Sequence, residues 1–139
     1  MKTQFTRILA LTALLAMALA ACRAASTPAV EGKTWVLQSI EQQDLLEGTE
    51  ITAVFDAAKN QVSGSAGCNT YFGDYQIEGS RVVIGPLAHT EMACLSPEGV
   101  MDQERRYLSV LGAAETIEVS GDQLRITCSG GRTLIFKAR

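Results

Sequence analysis

Most of the chain after residue 32 alternates between apolar and polar residues, which is the pattern of β-strands that bury one face. Turns rich in Gly, Asn, Asp and Ser separate these segments. The pattern predicts about eight short strands, drawn from segments 34–40, 51–55, 61–66, 75–77, 81–84, 87–91, 116–119, 124–128 and 133–136. Gly64, inside the third segment, predicts a bulge or a close approach of two backbones.

One segment has helical spacing instead of strand alternation. Val100, Glu104 and Tyr107 follow a helical spacing, together with Leu108 and Leu111. Ser96 is predicted to be the N-cap, and Pro97 suits the first helical position. The pattern therefore predicts a helix over 97–111, inserted before the last strands.

The order of these elements predicts the fold class. Strands and helices do not alternate regularly and no internal repeat is visible, so the strands are expected to be antiparallel. We predict a mainly β (α+β) protein whose strands curl into a barrel or a sandwich, because such a set must hide its edges. The charged run Glu104–Arg105–Arg106 on the helix is interpreted as a solvated face with weak ion pairing.

The first 21 residues have the features of a secretory signal peptide. Lys2 and Arg7 form a short positive region ahead of an apolar run over 8–21. That run is too short for a comfortable membrane span, which takes about 20 residues. We therefore predict that residues 1–21 are removed and do not belong to the folded domain.

The end of the apolar run suggests a lipid anchor. Leu19-Ala20-Ala21-Cys22 resembles the lipobox of bacterial lipoproteins, in which cleavage precedes a cysteine that carries the lipid. The alternative is an ordinary signal peptide with an incidental cysteine. Residues 22–31 are small and polar and predict a lipid-anchored flexible tether, followed by one domain at 32–139.

The charge of the chain limits its partners. The net charge of −3 becomes more negative when the basic signal peptide leaves. An acidic chain without a basic run is a poor partner for nucleic acid or anionic headgroups. Membrane attachment is therefore expected through the lipid on Cys22 alone. Arg23 after that cysteine favours the outer membrane, facing the periplasm, and we expect a monomer.

The cysteine count predicts one disulfide and one thiol. With Cys22 acylated, Cys68, Cys94 and Cys128 remain, in a compartment where disulfides persist. Strand alternation points Cys128 inward as a small hydrophobic residue, which favours a Cys68–Cys94 bond. The two pairings that involve Cys128 remain open at this stage.

Residues that could carry catalysis are few. His89 is the single histidine and lies in no recognised catalytic motif, so a hydrolase would need a carboxylate and an exposed Ser or Thr brought to it by the fold. Cys68, His89 and Cys94 are zinc ligands by type, but they lack C-x-x-C spacing. We predict no enzymatic activity, no metal and no cofactor, and we assign no role to His89.

Two segments of the chain resemble a known family. Gly64-Ser65-Ala66-Gly67-Cys68-Asn69-Thr70-Tyr71-Phe72-Gly73 and Thr90-Glu91-Met92-Ala93-Cys94 together are similar to the G-C-N-x-Y … T-x-M-A-C signature of the META domain, the HslJ-like family. The opening around Trp35 and the helix from Met101 to Glu104 are similar too. The resemblance covers about 32–139.

The resemblance implies a fold, a setting and structural roles. It implies a small lipocalin-like antiparallel barrel with one helix, in envelope lipoproteins or periplasmic proteins that are linked to stress and antibiotic tolerance. It carries over no catalytic residue. It implies a turn at Gly67 and Asn69, a bond between Cys68 and Cys94, and a core position for Met92. The motif residues expected to be structural are Gly67, Asn69, Tyr71, Gly73, Thr90 and Met92.

Three functional hypotheses follow. The leading one is a non-enzymatic, lipid-anchored envelope domain that binds another, unidentified envelope component at the membrane surface. The second is a binder of a small hydrophobic ligand, such as an antibiotic, in the barrel mouth, which a filled barrel would argue against. The third is a hydrolase. The side chains expected to line a ligand site are Trp35, Tyr71, Phe72 and Tyr75, although Trp35 is interpreted first as core.

Overall fold

The computed structural model describes residues 28–139 and places ten strands in one antiparallel sheet, together with an α-helix. The predicted signal peptide, Cys22 and most of the predicted tether lie outside the described residues. The strands are β1 (Thr34–Ile40), β2 (Gln43–Asp44), β3 (Thr52–Asp56), β4 (Gln61–Ser65), β5 (Thr70–Glu78), β6 (Arg81–Ile84), β7 (Ala88–His89), β8 (Ala114–Ser120), β9 (Gln123–Cys128) and β10 (Arg132–Ala138). The helix α1 spans Val100–Leu111, and a 3-10 turn spans Ser129–Gly131.

Eight of these strands close into a barrel. They follow the order β1-β3-β4-β5-β6-β8-β9-β10, and β10 pairs back onto β1 from Trp35↔Ala138 to Ile40↔Leu134. The two shortest strands are additions, because β2 pairs with β1 and β7 pairs with β5. The predicted fold class, a small antiparallel barrel of about eight strands with a helix before the last strands, is confirmed.

The inward-facing side chains of the strands form one core that α1 completes. Tyr107 of α1 places its hydroxyl 2.7 Å from that of Tyr71 on β5, and its ring centroid lies 6.4 Å from that of Phe136 on β10. β5 and β10 are on opposite sides of the closed barrel. Tyr107 therefore lies across the barrel interior, and α1 closes this end of the barrel, which we call the helix end.

The helix begins later than the sequence pattern predicted. The Ser96–Pro97 peptide bond is cis, and the N-cap residue is Gly99 with a φ of 85°. The Pro97 carbonyl accepts a hydrogen bond from the Val100 N–H at 3.1 Å, so a turn precedes the helix. Gly99 adopts a left-handed backbone that a glycine permits without steric cost, and this places the helix start at Val100 rather than at Pro97.

Gly64 marks a close approach of two strands, as predicted. A Cβ atom at this position would overlap the carbonyl oxygen of Thr52 on the neighbouring β3. The absence of a side chain therefore lets β4 lie directly against β3 in this part of the barrel.

Both ends of the described chain lie opposite α1, at the end of the barrel that we call the turn end. The Arg139 N–H donates to the Thr34 carbonyl at 2.9 Å, which places the last residue beside the start of β1. Val30 is fully buried, and its carbonyl accepts a hydrogen bond from Trp35 Nε1 at 2.7 Å. Glu31 forms a bridge to Phe55. The folded unit therefore includes residues that were assigned to the tether.

Candidate functional site

Asn69 is the centre of a buried hydrogen-bond network at the helix end. Its side-chain oxygen accepts hydrogen bonds from the Thr90 hydroxyl and the Met92 N–H, each at 2.7 Å. Its side-chain nitrogen donates to Glu104 Oε1 at 2.7 Å and to the Met92 carbonyl at 3.1 Å. Every hydrogen-bonding position of this 1%-exposed side chain is used. We call these four residues the Asn69 network.

Glu104 is the acceptor on the helix side of this network. It lies on the buried face of α1 and is 2% exposed. Its Oε2 accepts the N–H of Asn69 at 2.7 Å and that of Cys68 at 3.2 Å. A carboxylate can be buried when hydrogen-bond donors replace the water that it loses. The interpretation of Glu104 as part of a solvated face is therefore wrong, because its three donors hold α1 against the turn at residues 66–69.

The other members of that charged run do lie near the surface. Arg105 forms an exposed pair with Asp102, one helical turn away. Arg106 Nη2 lies 2.6 Å from Oε2 of Glu41, a residue in the connection that follows β1. Glu104 is therefore the exception among the three, because it faces the core and they do not.

Two glycines of the motif allow the backbone conformation at this site. Gly67 has a φ of 110°, in the range that favours glycine, and the turn closes with a 2.7 Å hydrogen bond from the Ala66 N–H to the Asn69 carbonyl. A Cβ on Gly73 would lie 2.7 Å from the Leu87 side chain, so Gly73 lets the segment after β6 cross over β5. Both glycines thus serve the chain path and carry no chemistry.

A disulfide closes the same region. Cys68 and Cys94 are bonded, with their Cα atoms 5.9 Å apart. This settles the pairing that the sequence left open, and it holds the 90–99 loop, which connects β7 to α1, against the start of β5. Cys128 is a buried free thiol at the end of β9, and burial raises its pKa to about 11. Its predicted inward orientation is confirmed.

Met92 does not occupy the core position that the family resemblance implied. Its side chain is 59% exposed, and Leu95 in the same loop is 93% exposed. The Asn69 network binds Met92 through its backbone N–H and carbonyl, so the side chain is left outside. The core assignment of Met92 is therefore wrong, and the 90–99 loop presents two apolar side chains to solvent.

A pair of tyrosine hydroxyls lies beneath the network. The Tyr71 hydroxyl donates to the Thr52 carbonyl at 2.9 Å, so the Tyr107 hydroxyl is the donor in the 2.7 Å Tyr107–Tyr71 hydrogen bond. Burial raises the pKa of both tyrosines above the ordinary value, because an ionised phenol would lose its hydration in the core. The two hydroxyls are therefore neutral groups that orient the core.

A groove of about 330 Å³ opens beside the Asn69 network. His89 contributes to its wall, and the His89 Nδ1 lies 2.8 Å from the Thr90 carbonyl oxygen. Met101 and Arg105 of α1 form the opposite side, next to Glu91 and Met92 of the 90–99 loop. The lining residues are Asn69, His89, Thr90, Glu91, Met92, Met101, Glu104 and Arg105.

The side chains predicted to line a ligand site in the barrel mouth are not brought together there. Trp35 and Tyr71 are fully buried core residues, which agrees with the core interpretation of Trp35. Tyr75 packs edge-on against Phe55 inside the barrel, and burial with the nearby Glu31 charge raises its pKa to about 12. Phe72 is 52% exposed on the outer face of β5, so its assignment to the interior is corrected.

The arrangement at the helix end is suited to holding segments together and presenting a surface. The Glu104 carboxylate and the Asn69 amide are saturated by hydrogen bonds to each other, to backbone groups and to the Thr90 hydroxyl. Among residues 28–139, no helix is long and apolar enough to cross a membrane.

Sequence reasoning missed Glu104 as a site residue. The available signal was a carboxylate between Val100 and Tyr107 on the apolar face of a helix, where a charged group needs buried donors. The motif around Asn69 supplies those donors from a segment 35 residues earlier.

The fold and site define a small closed antiparallel barrel with one end covered by a disulfide-linked, helix-bound loop. Comparison with family models places the chain among known proteins, because the META domain model matches residues 28–139. The chain belongs to the META domain family. A comparison with curated proteins found no match.

Solved structures share this fold. A protein from Burkholderia xenovorans, solved by NMR, is 25% identical with a TM-score of 0.66, and the match covers 79% of this chain and 83% of that one. A second NMR structure is 21% identical with a TM-score of 0.62, covering 78% and 90%. A crystal structure of a DUF4847 family protein from Bacteroides vulgatus is 15% identical with a TM-score of 0.55, covering 79% and 94%. These latter two likenesses concern the fold alone.

Proposed function

We propose that this META-domain protein is a non-enzymatic, HslJ-like lipoprotein of the cell envelope. In this proposal a lipid on Cys22 anchors it to the outer membrane, facing the periplasm, and the monomeric domain binds an envelope protein through the helix end of its barrel. The role belongs to the stress-related functions that the HslJ-like resemblance implies. One observation carries the proposal. The N-terminal residues of the described chain lie at the turn end of the barrel, and the exposed apolar 90–99 loop lies at the helix end.

The position of the N-terminal segment supports an orientation relative to the membrane. The described chain enters at the turn end, and Val30 is already buried there. From Cys22 to Pro28 is a short stretch, which spans at most about 20 Å when fully extended. A lipid on Cys22 therefore keeps the turn end near the bilayer and leaves the helix end directed away from it.

The 90–99 loop supports a binding role for the distal end. Leu95 and Met92 are large apolar side chains that the disulfide and the Asn69 network hold in the solvent. Exposed apolar residues on a rigid segment are a usual feature of protein interaction sites. Because the loop is already held in place before a partner binds, less conformational entropy is lost on binding.

The two other hypotheses have less support. A ligand in the barrel mouth would compete with Tyr107, which lies across the interior between β5 and β10. A hydrolase would need free acid–base groups, whereas Glu104 is held by three donors. Neither alternative accounts for the exposure of Leu95.

The anchor is tested by metabolic labelling with an alkyne fatty acid. We expect label on the wild-type protein and none on Cys22→Ala, because that cysteine is the proposed acceptor. An unlabelled wild-type protein would refute the anchor while leaving the binding surface open to its own test.

The binding surface is tested by site-specific photo-crosslinking in intact envelopes. A photoreactive residue in place of Leu95 should give a discrete crosslinked species that is lost in the Cys22→Ala background. The matched control replaces Lys59, an exposed residue at the turn end, and should give no such species. Equal crosslinking at both positions, or none at position 95 in a labelled protein, would contradict binding through the helix end.

A further inference from the structure

Three side chains that can ligate a soft metal ion line the groove beside the Asn69 network. His89 is the single histidine of the chain, and Met92 and Met101 are both of the methionines within residues 28–139. All three line the same groove of about 330 Å³. They come from three separate parts of the fold, which are β7, the 90–99 loop and α1.

The His89 ring makes the kind of hydrogen bond that metal-bound histidines commonly make. Its Nδ1 lies 2.8 Å from the Thr90 carbonyl oxygen, which can only accept a hydrogen bond. In the neutral imidazole, Nδ1 therefore carries the proton and Nε2 keeps its lone pair. A histidine that ligates a metal generally donates its other N–H to a carbonyl or carboxylate in this way, which fixes the tautomer and the ring.

The two thioethers select the class of metal. Thioether and thiolate sulfur prefer soft cations such as Cu(I), and imidazole is compatible with them, whereas Mg²⁺ and Ca²⁺ require clustered oxygen ligands. Within the described range, no three His, Cys, Asp or Glu side chains are grouped to hold a metal. Cys68 and Cys94 are bonded to each other, so the sulfur available in the groove comes from methionine.

Three charged side chains line the groove, and two of them already have partners. The Glu104 carboxylate already accepts three hydrogen bonds and has no role left as a ligand. The Arg105 guanidinium lines the groove and is paired with Asp102. Glu91 is the third, an exposed carboxylate of the 90–99 loop. The choice of a soft monovalent ion therefore rests on the two thioethers.

We propose that His89 Nε2 and the thioether sulfurs of Met92 and Met101 form a site for a soft monovalent metal ion, Cu(I) or Ag(I). The exposed Met92 side chain is free to turn, because the Asn69 network holds only its backbone. The proposal gives His89 a role that neither the fold nor the motif provides. It depends on neither the lipid anchor nor a protein partner.

Ag(I) is the probe of choice, because it is a soft monovalent ion that needs no reductant to stay in its oxidation state, whereas Cu(I) does. For this titration the protein is produced in a form that starts at Arg23 and is exported behind a cleavable signal. This form keeps the complete barrel and its core, which residues 28–139 contain. All samples carry Cys128→Ala, because a thiol binds Ag(I) and would obscure the groove.

The titration follows the methionine methyl resonances and the His89 ring nitrogens by NMR. We expect saturation at one Ag(I) per chain, with both methyl signals and the Nε2 signal of His89 shifting together. Loss of a residue that only supports a metal ligand typically lowers metal affinity by about 10–100-fold. Loss of a ligand itself should cost no less, so His89→Gln, Met92→Leu and Met101→Leu should each weaken Ag(I) binding by at least about tenfold. Leu conserves the volume of Met.

The control is Phe72→Leu, which changes an exposed apolar residue outside the groove and should leave the affinity unchanged. Amide resonances of Tyr71 and Tyr107 report whether each variant keeps its core. Failure to saturate at one ion, shifts that exclude either methionine, or folded variants that bind Ag(I) as tightly as the parent would overturn the site.

Discussion

The helix end of the barrel is held by buried side-chain contacts between segments far apart in sequence, whereas the ion pairs at the turn end are exposed. At the helix end, Glu104 binds a turn 35 residues earlier and the disulfide spans 26 residues. At the turn end, Lys59 and Asp56 form a pair only three residues apart, and the Lys137–Asp122 pair is two-thirds exposed. The two ends therefore differ in the burial of these charged side chains.

This difference explains why the family motif lies where it does. Local turns form wherever the backbone permits them, and surface ion pairs contribute little to their stability. A helix packed across a barrel must instead satisfy the buried backbone groups that it covers. Cys68, Asn69 and Glu104 do this together, so the motif marks the end that cannot be built from local contacts.

The largest expected effect comes from removing the buried acceptor. Glu104→Leu leaves the N–H groups of Cys68 and Asn69 and the Asn69 side-chain amide without their partner. We expect a loss of about 4 kcal/mol in the free energy of unfolding, because each unsatisfied buried donor is costly. Urea unfolding followed by Trp35 fluorescence measures this loss.

Two matched variants make this comparison between the ends sharper. Glu104→Gln keeps one side-chain oxygen as an acceptor and should lose about half as much. Lys137→Ala removes an exposed pair at the turn end and should change stability by less than about 0.5 kcal/mol. A loss at Lys137 as large as that at Glu104 would mean that the two ends do not differ in the way described.

The next largest effect is expected from opening the disulfide. The Cys68→Ala, Cys94→Ala double variant frees a 26-residue loop in the unfolded chain, which should lower the free energy of unfolding by about 3.5 kcal/mol. Hydrogen exchange should also rise in the 90–99 loop more than at the turn end. Uniformly faster exchange throughout the barrel would show that the bond stabilises the fold as a whole and not this end.

The smallest expected effect per residue is a loss of stability at alkaline pH. Burial raises the pKa of Tyr71 and Tyr107, and that of Tyr75 to about 12, above the ordinary value of 10.0. Above about pH 10 the unfolded chain releases these protons while the folded state keeps them, so the free energy of unfolding falls by about 1.4 kcal/mol per pH unit for each tyrosine. Below that pH the contribution is fully present.

Tyr107→Phe tests this assignment at the helix end. It should make the decline above pH 10 shallower by about 1.4 kcal/mol per pH unit, since one fewer phenol titrates in the unfolded chain. Cys128 starts the decline earlier, because the pKa of its thiol is raised from 9.0 to about 11. An unchanged slope in Tyr107→Phe would show that this phenol also ionises in the folded state.

The barrel could be predicted because alternation determines which side of a strand is buried. Residues 124–128 alternate cleanly, and β9 matches them closely. In β1 the alternation holds from Thr34 to Leu37, and an irregularity between Leu37 and Ser39 then turns Ile40 inward. Two-residue strands such as Gln43–Asp44 have no period to detect, so β2 was missed. The helix start was misplaced because Ser96 and Pro97 are typical of a first turn, while the left-handed backbone of Gly99 left no comparable signal.

The site was predicted only in part, because its key contacts are between side chain and backbone. The motif located Asn69 and the two cysteines, but it could not show that Met92 is held by its N–H and carbonyl with its side chain outside. Glu104 was grouped with Arg105 and Arg106 because of its charge, although its position on the helix places it on the buried face with Tyr107. Such contacts depend on how α1 meets the turn at 66–69, which no local pattern records.

The hydrogen bond between Arg139 and Thr34 has a consequence for engineering. Because the first and last barrel strands are neighbours, a short linker could join the two ends of the described residues, and new ends could be opened in an exposed turn, as in circular permutation. A fluorescent or affinity tag placed at the C-terminus would project from the turn end. Such a label would leave the 90–99 loop and its groove unobstructed.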